Sequence, residues 1–306
     1  MRSILLSLCA SVSSPAALVP PIFVHAVVAI GHMQPNSSGP PTWVTEGSAF
    51  FYGYLIGNDP DPAKRRYEVY LVTNRHVVQG RKEITVRLNP KQSSDPAQVF
   101  DVVSNDWFTH RDASVDVACA RINWRLLQER GIEVNFIASD TQAAGTAKMK
   151  DIGVSAGDGI FVMGFPMNLA GEQRNYVIVR PGAIARVSDL IESAAAVLLI
   201  DSHVFPGNSG GPVILQPNAF AIEGTRANPN AYLLGVVKSF IPYVDVAVSP
   251  QTQRPRVTFE ENSGLAEVVP VDRINEAIAA WREALPANLT PPLKTTPTPL
   301  KTPTRN

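Results

Sequence analysis

The chain has only two cysteines in 306 residues, Cys9 and Cys119. A framework of disulfides is thereby excluded, and so is a zinc site built from four thiolates. Cys119 lies in the apolar run Val117-Ala118-Cys119-Ala120 and reads as a small buried hydrophobe. An excess of one charge is also missing. The 27 basic and 27 acidic side chains balance, whereas nucleic-acid binding needs a basic surplus to meet phosphate. Lys64-Arg65-Arg66 stands beside Pro60 and Pro62 and reads as a solvated turn. The five histidines, His25, His32, His76, His110 and His203, are never spaced as metal ligands with another His or Cys. No glycine-rich phosphate loop follows a strand, so neither a metal nor an organic cofactor is expected. At 45% hydrophobic and 18% charged, the chain is too apolar to be disordered as a whole.

Long helical stretches are scarce as well. With 20 glycines and 26 prolines between aromatic and β-branched runs, short strands and turns are favoured. Strands are expected at 47–56, 67–72, 83–88, 115–122, 159–165, 175–179, 195–200, 212–215 and 232–237. Such a series suggests a barrel or a sandwich. One helix is expected near the end. Ile274, Ile278, Trp281 and Leu285 recur at helical spacing, Asp272 is placed to cap it and Pro286 to stop it.

Residues 1–35 stand apart. Arg2 precedes the apolar run Ile4 to Ala10, then a small-residue zone around Ser13-Ser14-Pro15-Ala16-Ala17. The pattern is that of a signal peptide and places the protein in the periplasm or outside the cell. A second apolar stretch, 22–30, leaves a membrane anchor through residues 4–30 as the alternative, although Pro15, Pro20 and Pro21 interrupt it. The main domain is expected over 40–285. The Pro- and Thr-rich residues 286–306 should form a solvated tail. Asn36-Ser37-Ser38 and Asn288-Leu289-Thr290 match glycosylation sequons, which matter only in a eukaryotic secretory route.

Three segments carry chemistry. Leu71-Val72-Thr73-Asn74-Arg75-His76 delivers a histidine at the end of a strand. Asp116-Val117-Ala118 puts an acid at the head of an apolar strand, and Asp112 nearby reads as a loop charge. Phe205-Pro206-Gly207-Asn208-Ser209-Gly210-Gly211-Pro212 encloses a serine in glycines. A serine hydroxyl needs a base to become a nucleophile. Histidine is that base near neutral pH, and a carboxylate fixes its tautomer. A tight glycine turn can aim successive backbone N–H groups at a developing oxyanion.

In this order, the segments resemble those of trypsin-like serine peptidases of the chymotrypsin fold. The resemblance runs from about residue 45 to 275 and includes Gly157 to Pro166 and Val268 to Ile274. It implies an all-β fold of two six-stranded antiparallel barrels with a C-terminal helix, and a cleft between the barrels. It also implies His76, Asp116 and Ser209 as catalytic residues, the backbone N–H groups of Gly207 and Ser209 as the oxyanion hole, and protein or peptide substrates. Asn208 replaces the aspartate that digestive members carry before the serine, so activation through an N-terminal ion pair is not expected. The lack of disulfides is similar to bacterial and Deg-type members. Only about thirty residues follow the barrels, so a PDZ module is not expected. By the same resemblance the substrate pocket draws on Asp201, Ser202, His203 and Val204, then on Lys238, Ser239 and Phe240. His203 and Lys238 would favour an acidic substrate side chain. A monomer or weak oligomer is expected. A non-catalytic binding module of the same fold and an esterase are the competing readings.

Overall fold

Strands with one wet face alternate apolar and polar residues. Yet Ala49-Phe50-Phe51-Tyr52, Val69-Tyr70-Leu71-Val72 and Ile160-Phe161-Val162-Met163 are apolar throughout. The computed structural model explains this. It describes residues 18–285 except 82, 104, 105 and 194, and also the backbone of residues 296 and 297. Each apolar run lies between two cores. Ala49, Phe51, Val69 and Leu71 fill the interior of a first half, while Phe50, Tyr52, Tyr70 and Val72 face a layer shared with the second half. Ile160 and Val162 fill the interior of the second half, and Phe161 and Met163 turn to the shared layer. The period of two is intact; both faces are simply dry.

The first half holds β1 (Val27–Gln34), β2 (Thr42–Gly57), β3 (Arg66–Thr73), β4 (Glu83–Leu88), β5 (Gln98–Val103), β6 (Trp107–Thr109), β7 (Ala118–Arg121) and β8 (Ile137–Ala138). The second half holds β9 (Gly159–Gly164), β10 (Ile178–Arg186), β11 (Leu198–Asp201), β12 (Pro212–Leu215), β13 (Tyr232–Val248) and β14 (Pro255–Pro270). The second half is a closed six-stranded barrel in the order β10-β11-β14-β13-β12-β9. The first half departs from the expected barrel. It is an open nine-stranded sheet, β15-β5-β4-β1-β2-β3-β7-β6 with β8 parallel to β2, in which β15 is Thr296–Pro297 beside β5. β6 is three residues long and, among the described residues, pairs only with β7. Closure is left to side chains: Phe100 and Val102 of β5 share one core with Ala118 and Ala120 of β7 and with Trp107.

The domain begins earlier than residue 40. The apolar stretch 22–30 is a short helix, Pro21–His25, followed by β1, which lies between β2 and β4. Ala26, Val28, Ala29 and Ile30 are buried there. Val27 to Ile30 are therefore interior strand, and 35 is not a segment boundary. Residues 1–17, the core of the expected signal, lie outside the described residues, as does the tail apart from 296 and 297. No helix among the described residues is long and apolar enough to cross a membrane.

The final helix spans Val271–Ala284 and buries Ile274, Ala277 and Ile278 in the shared layer. Trp281 stacks on Phe108 with centroids 4.6 Å apart and meets Tyr70 edge-on at 6.1 Å. Asp272 does not cap its own helix. Its carboxylate accepts from the backbone N–H and the hydroxyl of Thr146, at 2.9 and 3.0 Å, and so caps the helix Thr146–Ile152 instead. Beyond the barrel, β13 and β14 continue as a two-stranded arm whose register runs on to Val248 opposite Pro255.

Candidate active site

β3 ends at Thr73, and the chain turns into a single helical turn, Arg75–Val78, that lifts His76 to the surface. Asp116 stands just before β7. Its Oδ2 is 2.6 Å from His76 Nδ1, and its Oδ1 accepts from the His76 backbone N–H at 3.0 Å. A carboxylate can only accept, so Nδ1 carries a ring proton, and in the neutral ring Nε2 is then the atom with the lone pair. The backbone around Asp116 is itself tied down. Asn74 Nδ2 donates to the Asp116 carbonyl at 2.8 Å. The Arg75 guanidinium donates to the carbonyls of His110 and Ala113 at 2.6 and 2.8 Å, pinning the loop that leads to Asp116. Burial alone would raise the Asp116 carboxyl. The hydrogen bonds from the His76 ring and backbone, with the charges of His76 and Lys238, outweigh it and hold the carboxyl below the usual range. Asp112 stays exposed, bonded to Ser114 in its own loop.

Ser209 comes from the second half. Gly207 and Gly210 adopt φ of +98° and +85°, where a Cβ would be strained. A Cβ on Gly210 would also overlap the Ser48 carbonyl oxygen, and one on Gly207 would overlap that of Phe165. The turn closes on itself through Asn208 N–H to the Phe205 carbonyl and Gly211 N–H to the Asn208 carbonyl, both 2.9 Å. The Asn208 side chain is buried and accepts from Phe205 N–H at 3.1 Å, a neutral bracing role inside the turn. The Pro206 carbonyl accepts from Met167 N–H at 2.7 Å. That bond fixes the peptide whose other end is the Gly207 N–H. Among the described residues, neither the Gly207 nor the Ser209 N–H has a protein acceptor.

Ser48, a residue the sequence reading passed over, joins the halves here. Its hydroxyl donates to the Gly207 carbonyl at 2.7 Å and accepts from Phe165 N–H at 3.0 Å; its backbone N–H donates to the Ser209 carbonyl at 2.8 Å. Thr73 Oγ1 donates to the Ser48 carbonyl at 2.8 Å. Gly47 measures how close the two halves come. A Cβ there would lie 2.8 Å from Val77 Cγ1 and 3.4 Å from the Ser209 carbonyl oxygen, so the residue after His76 and the serine are one side chain apart. A signal existed: Gly47-Ser48 is a small, partly polar pair entering an otherwise apolar strand.

The structure does not join all the named residues. Ser209 Oγ donates to the Lys238 carbonyl at 3.2 Å, and no bond from it to His76 is formed among the described residues. Lys238 Nζ is 2.6 Å from Glu267 Oε2, so its charge is already matched. His203 is exposed and lines a cavity of about 430 Å³ with Arg180, Asp201 and Ser202, while Val204 is buried in the second core and Ser239 and Phe240 are half-buried. A free positive pair of His203 and Lys238 is therefore absent from the arrangement.

The chain was compared with known proteins. No curated protein sequence matches it. Among solved structures, the Rv3671c protease from M. tuberculosis in its active form is 17% identical, with a TM-score of 0.42, over 92% of this chain and 90% of that one. The inactive form of the Rv3671c protease is 18% identical, with a TM-score of 0.41, over 87% and 95%. The family model described as "Trypsin-like peptidase domain" matches residues 47–219. That span exceeds half of the chain and takes in β2, the His76 turn, Asp116 and the glycine-enclosed Ser209, and by it the chain belongs to the trypsin-like peptidases.

Proposed function

We propose that this chain is a serine endopeptidase, with Ser209 as nucleophile, His76 as base and then acid, and Asp116 as the group that orients His76. The observation that carries the reading is the 2.6 Å contact between His76 Nδ1 and Asp116 Oδ2, which in the neutral ring leaves Nε2 as the acceptor for a serine proton. The reading requires Ser209 Oγ to leave the Lys238 carbonyl and turn to Nε2 by rotation about its side-chain bond. Such rotamer changes are fast, and catalytic hydrogen bonds tighten when substrate arrives.

In the reaction, Oγ attacks the substrate carbonyl carbon as its proton moves to Nε2. The C–N bond then breaks, and Nε2 returns that proton to the leaving amine. Water repeats the sequence on the acyl-enzyme and releases the acid. Negative charge on the carbonyl oxygen meets the unpartnered N–H groups of Gly207 and Ser209. The Met167 and Ser48 bonds hold those donors before substrate binds. Substrate backbone would lie along β13 past Lys238, whose carbonyl already faces Ser209.

The test is covalent labelling with a fluorophosphonate, read by mass spectrometry. One adduct on Ser209, prevented by His76→Ala, is the expected result. No adduct, or an adduct on another serine, overturns the assignment.

A further inference from the structure

β13 does not stop at the site. Its pairing with β12 ends at Val236, and Val237 exchanges bonds with Gly210 and Gly211 of the serine turn. From Ser239 on, the edge away from β14 has no strand beside it among the described residues. β13 nevertheless runs on to Val248, about 30 Å past Lys238 at roughly 3.3 Å per residue.

Both faces of this arm carry exposed apolar side chains, most of them from β13. Tyr243 is 58% exposed, Val246 41% and Phe259 52%, and Val244, Val248 and Val257 are exposed as well. An isolated two-stranded ribbon is only marginally stable in water, and a long apolar edge is a template for another strand. The two edges are unequal. Over 255–262, β14 carries Pro255 and three charges, Arg256, Glu260 and Glu261; over 241–248, β13 carries Pro242 near its start and a single charge, Asp245. Charged residues block strand addition, so the open edge is that of β13, the strand that passes the serine.

We propose that the β13 edge from Ser239 to Val248 is an extended docking strand for the substrate, which adds to it antiparallel as a third strand. This rests on the peptidase reading above. Antiparallel addition runs the substrate from Val248 toward Lys238, so the docked residues precede the bond that is cut. The ligand is an extended, β-prone polypeptide segment of about eight residues, and affinity comes from main-chain bonds supplemented by contact with Val244, Val246 and Tyr243. Folded proteins lacking a free extended segment of that length are excluded as good substrates.

The test uses the full chain. A set of tetrapeptide aminomethylcoumarin amides gives the best short substrate. It is lengthened at its N-terminus by about eight residues of alternating valine and lysine, or of alternating glycine and lysine at equal charge, to match the arm's length. The valine extension is expected to raise kcat/KM at least about tenfold over the short substrate and over the glycine control. Two variants remove the gain: Val244→Lys with Val246→Lys, and replacement of residues 244–260 by Asn-Gly, which closes Tyr243 on Glu261 as a tight hairpin. In both, the gain falls below about twofold while the short substrate is cleaved as before. A gain that persists in both variants overturns the proposal. So does a dimer in sedimentation that dissociates in the lysine variant without any length dependence, since the edge would then serve a second copy. In Ser209→Ala, binding of the fluorescein-labelled valine peptide reads the arm without turnover. Arm-dependent binding with no turnover in the native chain upholds the docking strand and defeats the peptidase reading. Turnover of the short substrate with neither binding nor gain does the reverse.

Discussion

The two halves bring different degrees of completion to the site. The first, an open sheet, delivers a finished unit: His76 and Asp116 are joined by two hydrogen bonds, and Asn74 and Arg75 secure the flanking backbone. The second, a closed barrel, delivers rigid backbone donors but a serine still bonded to its own Lys238 carbonyl. Closure of a barrel does not by itself assemble chemistry. The sheet that failed to close holds the better-connected pair, because local loops do the holding. The barrel contributes a turn held by its own backbone bonds, in which the Gly207 and Ser209 N–H groups have no protein acceptor among the described residues.

The largest expected effect tests whether the halves act as one unit. Ser209→Ala and His76→Ala should each lower kcat by at least about 10³ with the fold kept, and the double variant should lose no more than either single one. Additive losses, measured by active-site titration and steady-state kinetics, would mean that the halves work separately. A smaller effect concerns the first half alone. Trp281→Ala removes the stack on Phe108 and the edge contact with Tyr70. A loss of about 3 kcal/mol is expected, near 10 °C in Tm, and calorimetry should show it in the open sheet before the closed barrel. Equal shifts of both would mean that the shared layer melts as one body.

Next comes the junction. Ser48→Ala leaves the Phe165 N–H and the Gly207 carbonyl without their buried partner. The expected cost is about 1–3 kcal/mol in Tm-derived stability. kcat should fall about tenfold with KM less affected, because the Gly207–Asn208 peptide, between the two proposed donors, loses its brace. The smallest effect is pH-dependent. The Asp116 carboxyl is held below its unfolded value, so ionised Asp116 stabilises the folded state. That contribution is complete above about pH 4 and is lost as pH falls through the lower folded value. Thermal melts of Asp116→Asn between about pH 5 and pH 3 should be flatter than those of the native chain. An unchanged slope would place the acid sensitivity elsewhere.

Much of this was readable from the sequence. β4 and β12 begin and end where alternation and turn residues place them, at Glu83–Leu88 and Pro212–Leu215. The serine turn was legible because glycine spacing encodes backbone angles. β1 was missed because Val27 to Ile30 joins a preceding apolar stretch, and hydropathy cannot separate an interior strand from a leader. The outer part of β14, Thr258-Phe259-Glu260-Glu261-Asn262, reads as loop because it has no apolar face; its pairing with β13 makes it a strand. The role of Asp272 was misread because a first-turn acid favours its own helix locally, while tertiary packing hands it to Thr146. Ser48 was invisible because its partners lie 117 and 159 residues away in sequence.

Cys119 turns the sheet into its own recorder. The thiol is fully buried in β7, three residues after Asp116, and burial pushes its pKa up, so native protein holds it as unreactive SH. An alkylating reagent reaches it only when β7 parts from β3 and β6. The rate at which label accumulates at this sulfur therefore counts the openings of the wall behind the His76–Asp116 pair, under the same conditions in which activity would be assayed.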